Sequence, residues 1–525
     1  MVGGGPAGSV MGWALATRGV RVVIVDRARF PREKVCGDFV EPRGLRLFRT
    51  MGCLGALEAA GPLPITHTSL FLDGRLAYRG AIPFYGGGSD LPAHGYIIPR
   101  EDLDYRLLDA ARAAGAEVLE ETHVDGVERG PDGVTVRTRT VRGRGALRGS
   151  VVVGADGTHS IVARSVGALV DDPRYMAISQ RAYAEGVALD RGEAAFFFTR
   201  ELFPGYGWMF PMAGGRANVG VGVLAEAVNR FGINVPRLLH AFLDVLRRTH
   251  SGCRDLRLAS KPIGGIVRTY GGAGPNHFDR GLLVGDAGCF VDPMTGEGIT
   301  PAAESALLGA AVLAEALEHG RTDGRFLQRY ERVFRAYLDP AMKYLDFCAC
   351  LMRNRHLGAC WLRAVARGCA LAARDPEFAR VSGATFGGLE VRPFAVAAQI
   401  WAKAAGAALG EAGRAAAELW RGRSGTARAV AMDLAEWHAG WWASIADDPV
   451  WHLCWAADLT HKWLATMRST ASHDPRTAGP WAFHPGAPED QRDRRRVLRT
   501  RRRSPSGRGA TRTASASASA ATRSR

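Results

Sequence analysis

The sequence predicts an α/β fold that carries an inserted mixed β-sheet and continues into a helical C-terminal extension and a disordered tail. Three observations lead to this prediction. Mainly apolar segments at residues 20–25, 151–153 and 281–284 run directly into a glycine or an aspartate, as buried parallel strands do. A β-rich stretch, which includes the alternating segment 217–223, separates the last two of them. From about residue 325 to 470 the periodicity is helical and alanine-rich.

The first element is a glycine-rich turn between a strand stub and a helix. Gly3-x-Gly5-x-x-Gly8 forms this turn, and Asp26 closes the next strand. The first glycine allows the tight turn, the second lets the backbone approach a pyrophosphate, and the third lets the helix pack on the strand. The helix N-terminus offers N–H groups to phosphates, and Asp26 would accept hydrogen bonds from a ribose. These residues predict a Rossmann-type dinucleotide site.

Two further strand–turn motifs indicate which dinucleotide is bound. Gly154-Ala155-Asp156-Gly157 follows the second strand, and Gly285-Asp286-Ala287 follows the third, with Asp292-Pro293-x-x-Gly296-Glu297-Gly298-Ile299 after it. These segments resemble the paired signatures of FAD-dependent oxidoreductases of the p-hydroxybenzoate hydroxylase fold. The resemblance implies that the cofactor is FAD, that Asp286 binds its ribityl chain, and that loop 293–299 holds the pyrimidine edge of the flavin. A helix starting near Thr300 would aim its positive end at that edge.

Two other segments narrow the resemblance. The first segment, residues 30–38, reads FPREKVCGD. The second, residues 204–211, reads PGYGWMFP and precedes Asn218-Val219-Gly220-Val221-Gly222. Both are similar to segments of the geranylgeranyl reductases and their relatives. The resemblance covers roughly residues 1–345. It implies that Cys36 lies beside the flavin, and Cys36 and Trp208 are the catalytic candidates. It also implies that Arg100 contacts the flavin and that the second segment lines a lipophilic channel.

These motifs give a complete set of predicted site residues. The predicted FAD contacts are Gly3, Gly5, Gly8, Asp26, Arg100, Asp156, Gly157, Gly285, Asp286, Pro293, Gly296, Gly298 and Ile299. The predicted substrate contacts are Phe198, Tyr206, Trp208 and Phe210. No metal site is predicted, because the nine cysteines are scattered without a CxxC pair and no HExxH motif occurs.

The predicted domains follow from the order of the motifs. We expect a Rossmann-type FAD-binding domain in pieces of about 1–75, 95–170 and 270–345, interleaved with a substrate-binding sheet at about 76–94 and 171–269. A helical region should follow at 346–470 and a disordered tail rich in Arg, Ser and Ala at 471–525. Only Met1 and Val2 precede the first glycine, so we expect the natural start to lie upstream.

Two chemistries remain open for the flavin. In the first, which the resemblance favours, reduced flavin delivers hydride to a C=C bond of an isoprenoid-type substrate. In the second, reduced flavin reacts with O2 and a flavin peroxide hydroxylates or epoxidises a lipophilic or polycyclic substrate, since one fold serves both reactions. Halogenation is less favoured, because residues 1–260 contain a single lysine, Lys34, and the substrate region a single tryptophan, Trp208.

The expected partners are a lipophilic small molecule and a transient electron donor. No second strand–GxGxxG–helix unit with an acid is visible, so NAD(P)H or a reduced redox protein should dock from outside. Cysteine usage and the absence of a basic–apolar leader predict a cytoplasmic protein. Of the net charge of +16, residues 491–525 supply 12 Arg against one Asp. That tail has no aromatic residue to stack on bases, so no specific nucleic-acid binding is expected.

The C-terminal tryptophans leave two readings open. Trp437, Trp441, Trp442, Trp451 and Trp455 recur near helical spacing. Such a face could rest on a membrane surface as a peripheral contact, which would suit an enzyme that takes a lipid substrate. The alternative, which we favour, is a helical bundle packed over the substrate entrance or a dimer contact.

Overall fold

The computed structural model describes residues 1–82, 91–188, 192–379 and 393–471. The tail predicted at 471–525 lies outside these ranges except for Ala471. The helices are α1 Pro6–Ala16, α2 Pro42–Thr50, α3 Leu54–Glu58, α4 Arg100–Ala113, α5 Ile161–Ser165, α6 Ala225–Phe231, α7 Val235–Thr249, α8 Ile299–Glu318, α9 Gly324–Met352, α10 Gly358–Ala372, α11 Pro393–Trp420, α12 Gly425–Asp447 and α13 Pro449–Ala471. The strands are β1 Val23–Val25, β2 Phe39–Val40, β3 Pro64–Ile65, β4 His67–Leu72, β5 Arg75–Ala81, β6 Gly95–Ile97, β7 Glu117–Leu119, β8 His123–Gly130, β9 Gly133–Thr140, β10 Gly143–Gly149, β11 Val152–Gly154, β12 Met176–Glu185, β13 Glu193–Phe198, β14 Gly205–Met212, β15 Arg216–Leu224, β16 Arg257–Leu258, β17 Ile263–Arg268, β18 His277–Phe278 and β19 Gly281–Leu283.

A parallel sheet forms the centre of the first domain. β1 pairs with β7 and β11 pairs with β19, both in parallel. Val2 joins the two pairs, because it bridges Val25 on one side and Gly154 on the other. α1 and α8 pack together against this sheet, and their apolar side chains share one buried core with Ile24. The predicted parallel α/β core is confirmed, although the first full strand is shorter than the apolar run 20–25.

A larger mixed sheet forms the second layer of the molecule. Its strand order is β16-β12-β15-β14-β13-β4-β5, with β17 also paired to β12. α7 covers one face and buries Phe242 and Leu246 against Phe197. Side chains of β13 and β14 on the opposite face, among them Phe196, Trp208 and Phe210, form a separate apolar cluster. Because strand residues alternate between faces, the sheet offers this second, aromatic face to the first domain.

Two expected domain limits need correction. The sheet begins at β4, upstream of the expected limit near residue 76, because β4 pairs in parallel with β13 and Phe71 stacks on Phe197 at 4.7 Å. The expected limit falls inside the β4–β5 hairpin. Likewise, the expected limit between residues 345 and 346 falls inside α9, which continues without a break from the FAD-side core to the helical extension.

α8 holds the hydrophobic centre of the fold. Among the described residues it is the one helix whose length and hydropathy would suit a membrane span, and 83% of that apolar window is buried inside the structure. It packs between α1 and α9. Its apolar sequence is therefore accounted for by its place in the core, since a helix that is hydrophobic all round is buried somewhere.

The helical extension divides the five predicted tryptophans into two groups. Trp455 is 3% exposed, and Trp441 lies between it and His452 with ring centroids at 5.9 and 4.4 Å. Trp437 and Trp442 are 40% and 64% exposed. The five residues therefore do not form one continuous outer face: part of the set packs α12 and α13 together, as the bundle alternative expected.

Candidate cofactor and substrate site

Close contacts in the glycine-rich turn allow no side chain at Gly3 or Gly8. Gly3 has a φ of +102°, and a Cβ on Gly8 would lie 1.9 Å from the Gly3 carbonyl oxygen. Asp26 fixes the same turn from the next strand: its Oδ2 accepts the Gly4 N–H at 2.7 Å and its Oδ1 accepts the Ala28 N–H at 2.8 Å. The backbone is thereby held in the shape that the glycine pattern predicts.

The start of α1 fits a diphosphate. Gly5 is the N-cap residue, with an extended backbone, no side-chain cap and no acid in the first helical turn. A Cβ on Gly5 would have Arg32 Nη2, at 3.4 Å, as its single neighbour within 4 Å. The turn therefore leaves free N–H groups, a helix N-terminus and a guanidinium around open space, which is the donor set that a pyrophosphate requires. FAD fits this site.

Asp156 and Gly285 shape the neighbouring strand ends. Asp156 accepts the Ser160 hydroxyl at 2.5 Å and the Ile161 N–H at 2.7 Å, so both of its carboxylate oxygens are occupied at the start of α5. Gly157 next to it has a φ of +79°. A Cβ on Gly285 would lie 2.7 Å from the Ala7 Cβ, so this turn approaches α1 closely. These three residues set the backbone path beside the predicted cofactor site.

A cavity of about 200 Å³ lies between the parallel sheet and the aromatic face of the large sheet. It brings together Cys36, Arg100, Tyr206, Trp208, Phe210, Asp286, Pro293, Gly296, Gly298 and Ile299 from the predicted set. The prediction that Phe198 contacts the substrate needs correction. α10 covers this residue, and its ring lies 5.0 Å from that of Trp361. Phe196, which precedes it on the same face of β13, lines the cavity instead.

Charged groups line the cavity on the side of the first domain. Lys34 Nζ lies 3.0 Å from the Asp286 carboxylate, which is 11% exposed. Arg100 is buried and forms two hydrogen bonds of 2.8 Å with Asp104. Cys36 lies near Arg100, and burial raises the pKa of its thiol above the ordinary value. The thiol is therefore neutral near pH 7 rather than a thiolate.

A buried hydrogen-bond network connects the Cys36 segment to the large sheet. Asp38 Oδ2 accepts the Tyr183 hydroxyl at 2.8 Å and the Asn218 Nδ2 at 2.9 Å. The same amide donates to the Cys36 carbonyl at 2.9 Å, and its oxygen accepts Trp208 Nε1 at 2.9 Å. Asp38 has a φ of +64°, unusual for a residue with a side chain. The network locks the backbone around Cys36 against the wall that carries Trp208.

A cluster of carboxyl groups lies at the other end of the cavity, and sequence reasoning did not find it. Glu41 and Glu297 both line the cavity. Arg43 binds Glu304 with two hydrogen bonds of 3.0 and 3.1 Å and lies 3.7 Å from Glu41. Glu297 stood inside a recognised motif, but Glu41 is an isolated acid whose position only the packing of α2 on α8 reveals.

Comparison with known proteins identifies the relatives of this chain. A family model described as "FAD binding domain" matches residues 1–187, which confirms FAD as the predicted cofactor. The chain is 31% identical over 324 residues to menaquinone reductase of Mycolicibacterium smegmatis, covering 60% of this chain and 75% of that protein. It is 32% identical over 370 residues to digeranylgeranylglycerophospholipid reductase 2 of Methanopyrus kandleri, covering 66% and 83%.

Solved structures share the fold. A geranylgeranyl bacteriochlorophyll reductase-like protein of Thermoplasma acidophilum gives a TM-score of 0.62 at 22% identity, covering 71% of this chain and 90% of that one. The flavin-dependent brominase Bmp2 gives a TM-score of 0.61 at 18% identity, covering 74% and 92%. At these identities the likeness shows the fold alone, because one fold hosts several flavin chemistries.

Proposed function

Because this chain belongs to the geranylgeranyl reductase-like family of FAD-dependent oxidoreductases, we propose that it reduces C=C bonds of a lipophilic, isoprenoid-type substrate. The observation that carries the proposal is the composition of the cavity. Its first-domain side presents Asp286 and Arg100, whereas the large sheet presents Phe196, Trp208 and Phe210. A polar cofactor edge opposite an aromatic wall suits transfer between a flavin and an apolar chain.

The chain's own residues bind, orient and exclude water in this proposal. FAD, when bound, supplies the hydride. The N-terminus of α1 and Arg32 would hold the pyrophosphate of FAD. Asp286 would bind the ribityl chain after its ion pair with Lys34 breaks. Trp208 and Phe210 keep water from the reacting carbons, which prevents side reactions. Cys36, with its neutral thiol, lies where the cofactor side meets the substrate wall and would help to position the substrate.

The electron donor of the proposed reaction is NAD(P)H or a reduced redox protein that docks transiently. We also propose that the protein works in the cytoplasm against a membrane surface. Exposed Trp437 and Trp442 support this, because indole rings favour the interface between lipid and water. The relatives named for menaquinone and for a digeranylgeranylglycerophospholipid support it as well. Flotation with anionic and neutral vesicles tests the idea: a Trp437→Ser, Trp442→Ser double variant should float less than the wild type, and equal flotation contradicts it.

A lipid panel tests the substrate class. FAD-loaded protein with a chemical reductant is incubated under argon with a prenylated quinone, with a geranylgeranylated glycerophospholipid, and with analogues of both that carry saturated chains. Mass spectrometry should find pairs of hydrogens added to at least one prenylated lipid and to neither saturated analogue. Products that gain an oxygen atom, and only in air, would contradict reduction and would identify a monooxygenase.

A further inference from the structure

Glu41 and Glu297 form a pair of acids that reaches the cavity from two different elements. Glu41 precedes α2, and Glu297 precedes α8. Glu297 Oε1 accepts the Thr300 N–H at 2.7 Å, which fixes the carboxyl group at the first turn of α8. Glu297 is half-buried and lines the cavity, so part of this residue remains accessible from it.

Glu41 lies deeper and lacks a full set of partners. It is 6% exposed, and its Oε2 accepts no hydrogen bond from any described residue. Its cationic neighbour is Arg43, whose Nη2 lies 3.7 Å away, whereas Nη1 of the same guanidinium binds Glu304 at 3.0 Å. A buried carboxylate oxygen without a donor is costly, and the cost disappears when that oxygen carries a proton.

The surrounding charges favour a retained proton. Arg43 favours the charged forms of Glu41, Asp292, Glu297 and Glu304, and Tyr337 donates to Glu304 at 3.1 Å. Asp292 accepts the Met294 N–H at 2.7 Å and the Thr295 N–H at 3.0 Å, which stabilise its charge. Burial raises the pKa values of Glu41 and Glu297, and the charges of Asp292 and Glu304 raise them further, because one guanidinium does not balance four clustered carboxylates.

We propose that Glu297 is the general acid that donates a proton to the substrate, and that Glu41, a second buried acid at the cavity, stays protonated beside it; the proposal rests on the proposed function. As the C=C π bond breaks, one carbon accepts hydride from the reduced flavin, and the neighbouring carbon accepts H⁺ from the Glu297 carboxyl group. The electron pair of the broken O–H bond stays on the carboxylate. The substrate gains two electrons and two hydrogens, the flavin loses two electrons, and Glu297 recovers its proton from water.

Glu297→Gln is the decisive variant, because it removes the proton while an amide oxygen still accepts the Thr300 N–H. The assay is a single turnover of photoreduced, FAD-loaded protein with the prenylated substrate under argon, followed by flavin absorbance. We expect the rate to fall by about 100-fold or more, the range of general acid catalysis. FAD affinity should stay unchanged. The control is Glu185→Gln, which removes a surface carboxylate paired with Arg257 and should leave the rate unchanged.

Two readouts separate proton donation from a structural role. In the wild type the rate should decline as pH rises through the pKa of Glu297. In Glu297→Gln this decline should vanish. In the apoprotein, infrared spectroscopy at pH 7 should detect protonated carboxyl absorption, and Glu297→Gln should remove the part of it that belongs to Glu297.

The outcomes distinguish this proposal from the function on which it rests. If the wild type leaves every C=C bond intact under argon, the proposed function and the donor role both fail. If the wild type reduces substrate and Glu297→Gln does so at the same rate, or if the decline at high pH persists in Glu297→Gln, the donor role alone is refuted.

Discussion

Gly5→Ala should weaken FAD binding while leaving the apoprotein folded. The new methyl group would meet Arg32 Nη2 at 3.4 Å, an ordinary contact, and nothing else within 4 Å. Loss of the N-cap glycine destabilises the folded state by a few tenths of a kcal/mol or slightly more. The lower conformational entropy of the unfolded chain acts in the opposite direction and stabilises the fold by about 0.4–1 kcal/mol. We therefore expect the free energy of unfolding of the apoprotein to change by less than about 1 kcal/mol.

The same methyl group would occupy the space at the start of α1 that we propose for the pyrophosphate. Overpacking of this kind costs about 1–3 kcal/mol. At about 1.4 kcal/mol for each factor of ten, the FAD Kd should rise by about 5- to about 140-fold. Fluorescence titration of the apoprotein with FAD measures this change, and urea unfolding of the same apoprotein measures its stability.

Two further variants bracket the result. Gly8→Ala places a Cβ 1.9 Å from the Gly3 carbonyl oxygen, a backbone atom that cannot move aside, so it should destabilise the apoprotein itself by about 3 kcal/mol or more. Gly368→Ala in α10 meets no atom within 4 Å and should change neither quantity adversely. The reasoning is refuted if Gly5→Ala binds FAD as tightly as the wild type, or if it unfolds the apoprotein as Gly8→Ala does.

Three other results are expected. Burial raises the pKa of Glu297 to about 8 from an ordinary 4.5, so the folded apoprotein holds a proton in this window that the unfolded chain releases. The free energy of unfolding of the apoprotein should therefore fall as pH rises from 4.5 to 8, and this carboxyl group contributes at most about 1.4 kcal/mol per pH unit to the fall. Urea unfolding at several pH values should give a flatter pH dependence in Glu297→Gln than in the wild type. Equal slopes in the two proteins would contradict this expectation. Trp208→Phe removes the donor to the buried Asn218 Oδ1 and should lower the free energy of unfolding by about 1–3 kcal/mol, whereas an unchanged urea midpoint would show that the bond contributes nothing. Cys36→Ala should retain FAD but lower the turnover of a prenylated substrate, and full turnover by product analysis would remove any role for the thiol.

The sequence predicts the parts of this molecule whose signals are local. A glycine that must approach another backbone, as Gly8 does, and an acid at the end of a strand, as Asp26 is, occupy fixed places in a strand–turn–helix unit. The motif that ends at Ile299 and starts α8 is equally local. These segments predicted the α/β fold and FAD before any contact was known.

The remaining parts depend on contacts between distant residues. Glu41 and Glu297 meet only because α2 packs near the start of α8, and neither spacing nor composition reports that approach. Phe198 was expected in the substrate site as an aromatic residue of the inserted sheet, but α10 covers it with Trp361. Periodicity assigns a residue to a face of a strand; it does not indicate what a later helix places on that face.

Anaerobic reoxidation tests the central claim most directly. FAD-loaded protein is photoreduced under argon and mixed with one equivalent of a prenylated lipid that the panel identifies. Flavin absorbance should return to its oxidised value without oxygen, and the lipid should gain two hydrogens for each flavin reoxidised. A flavin that stays reduced until air is admitted, with a product that then carries an added oxygen atom, would contradict it.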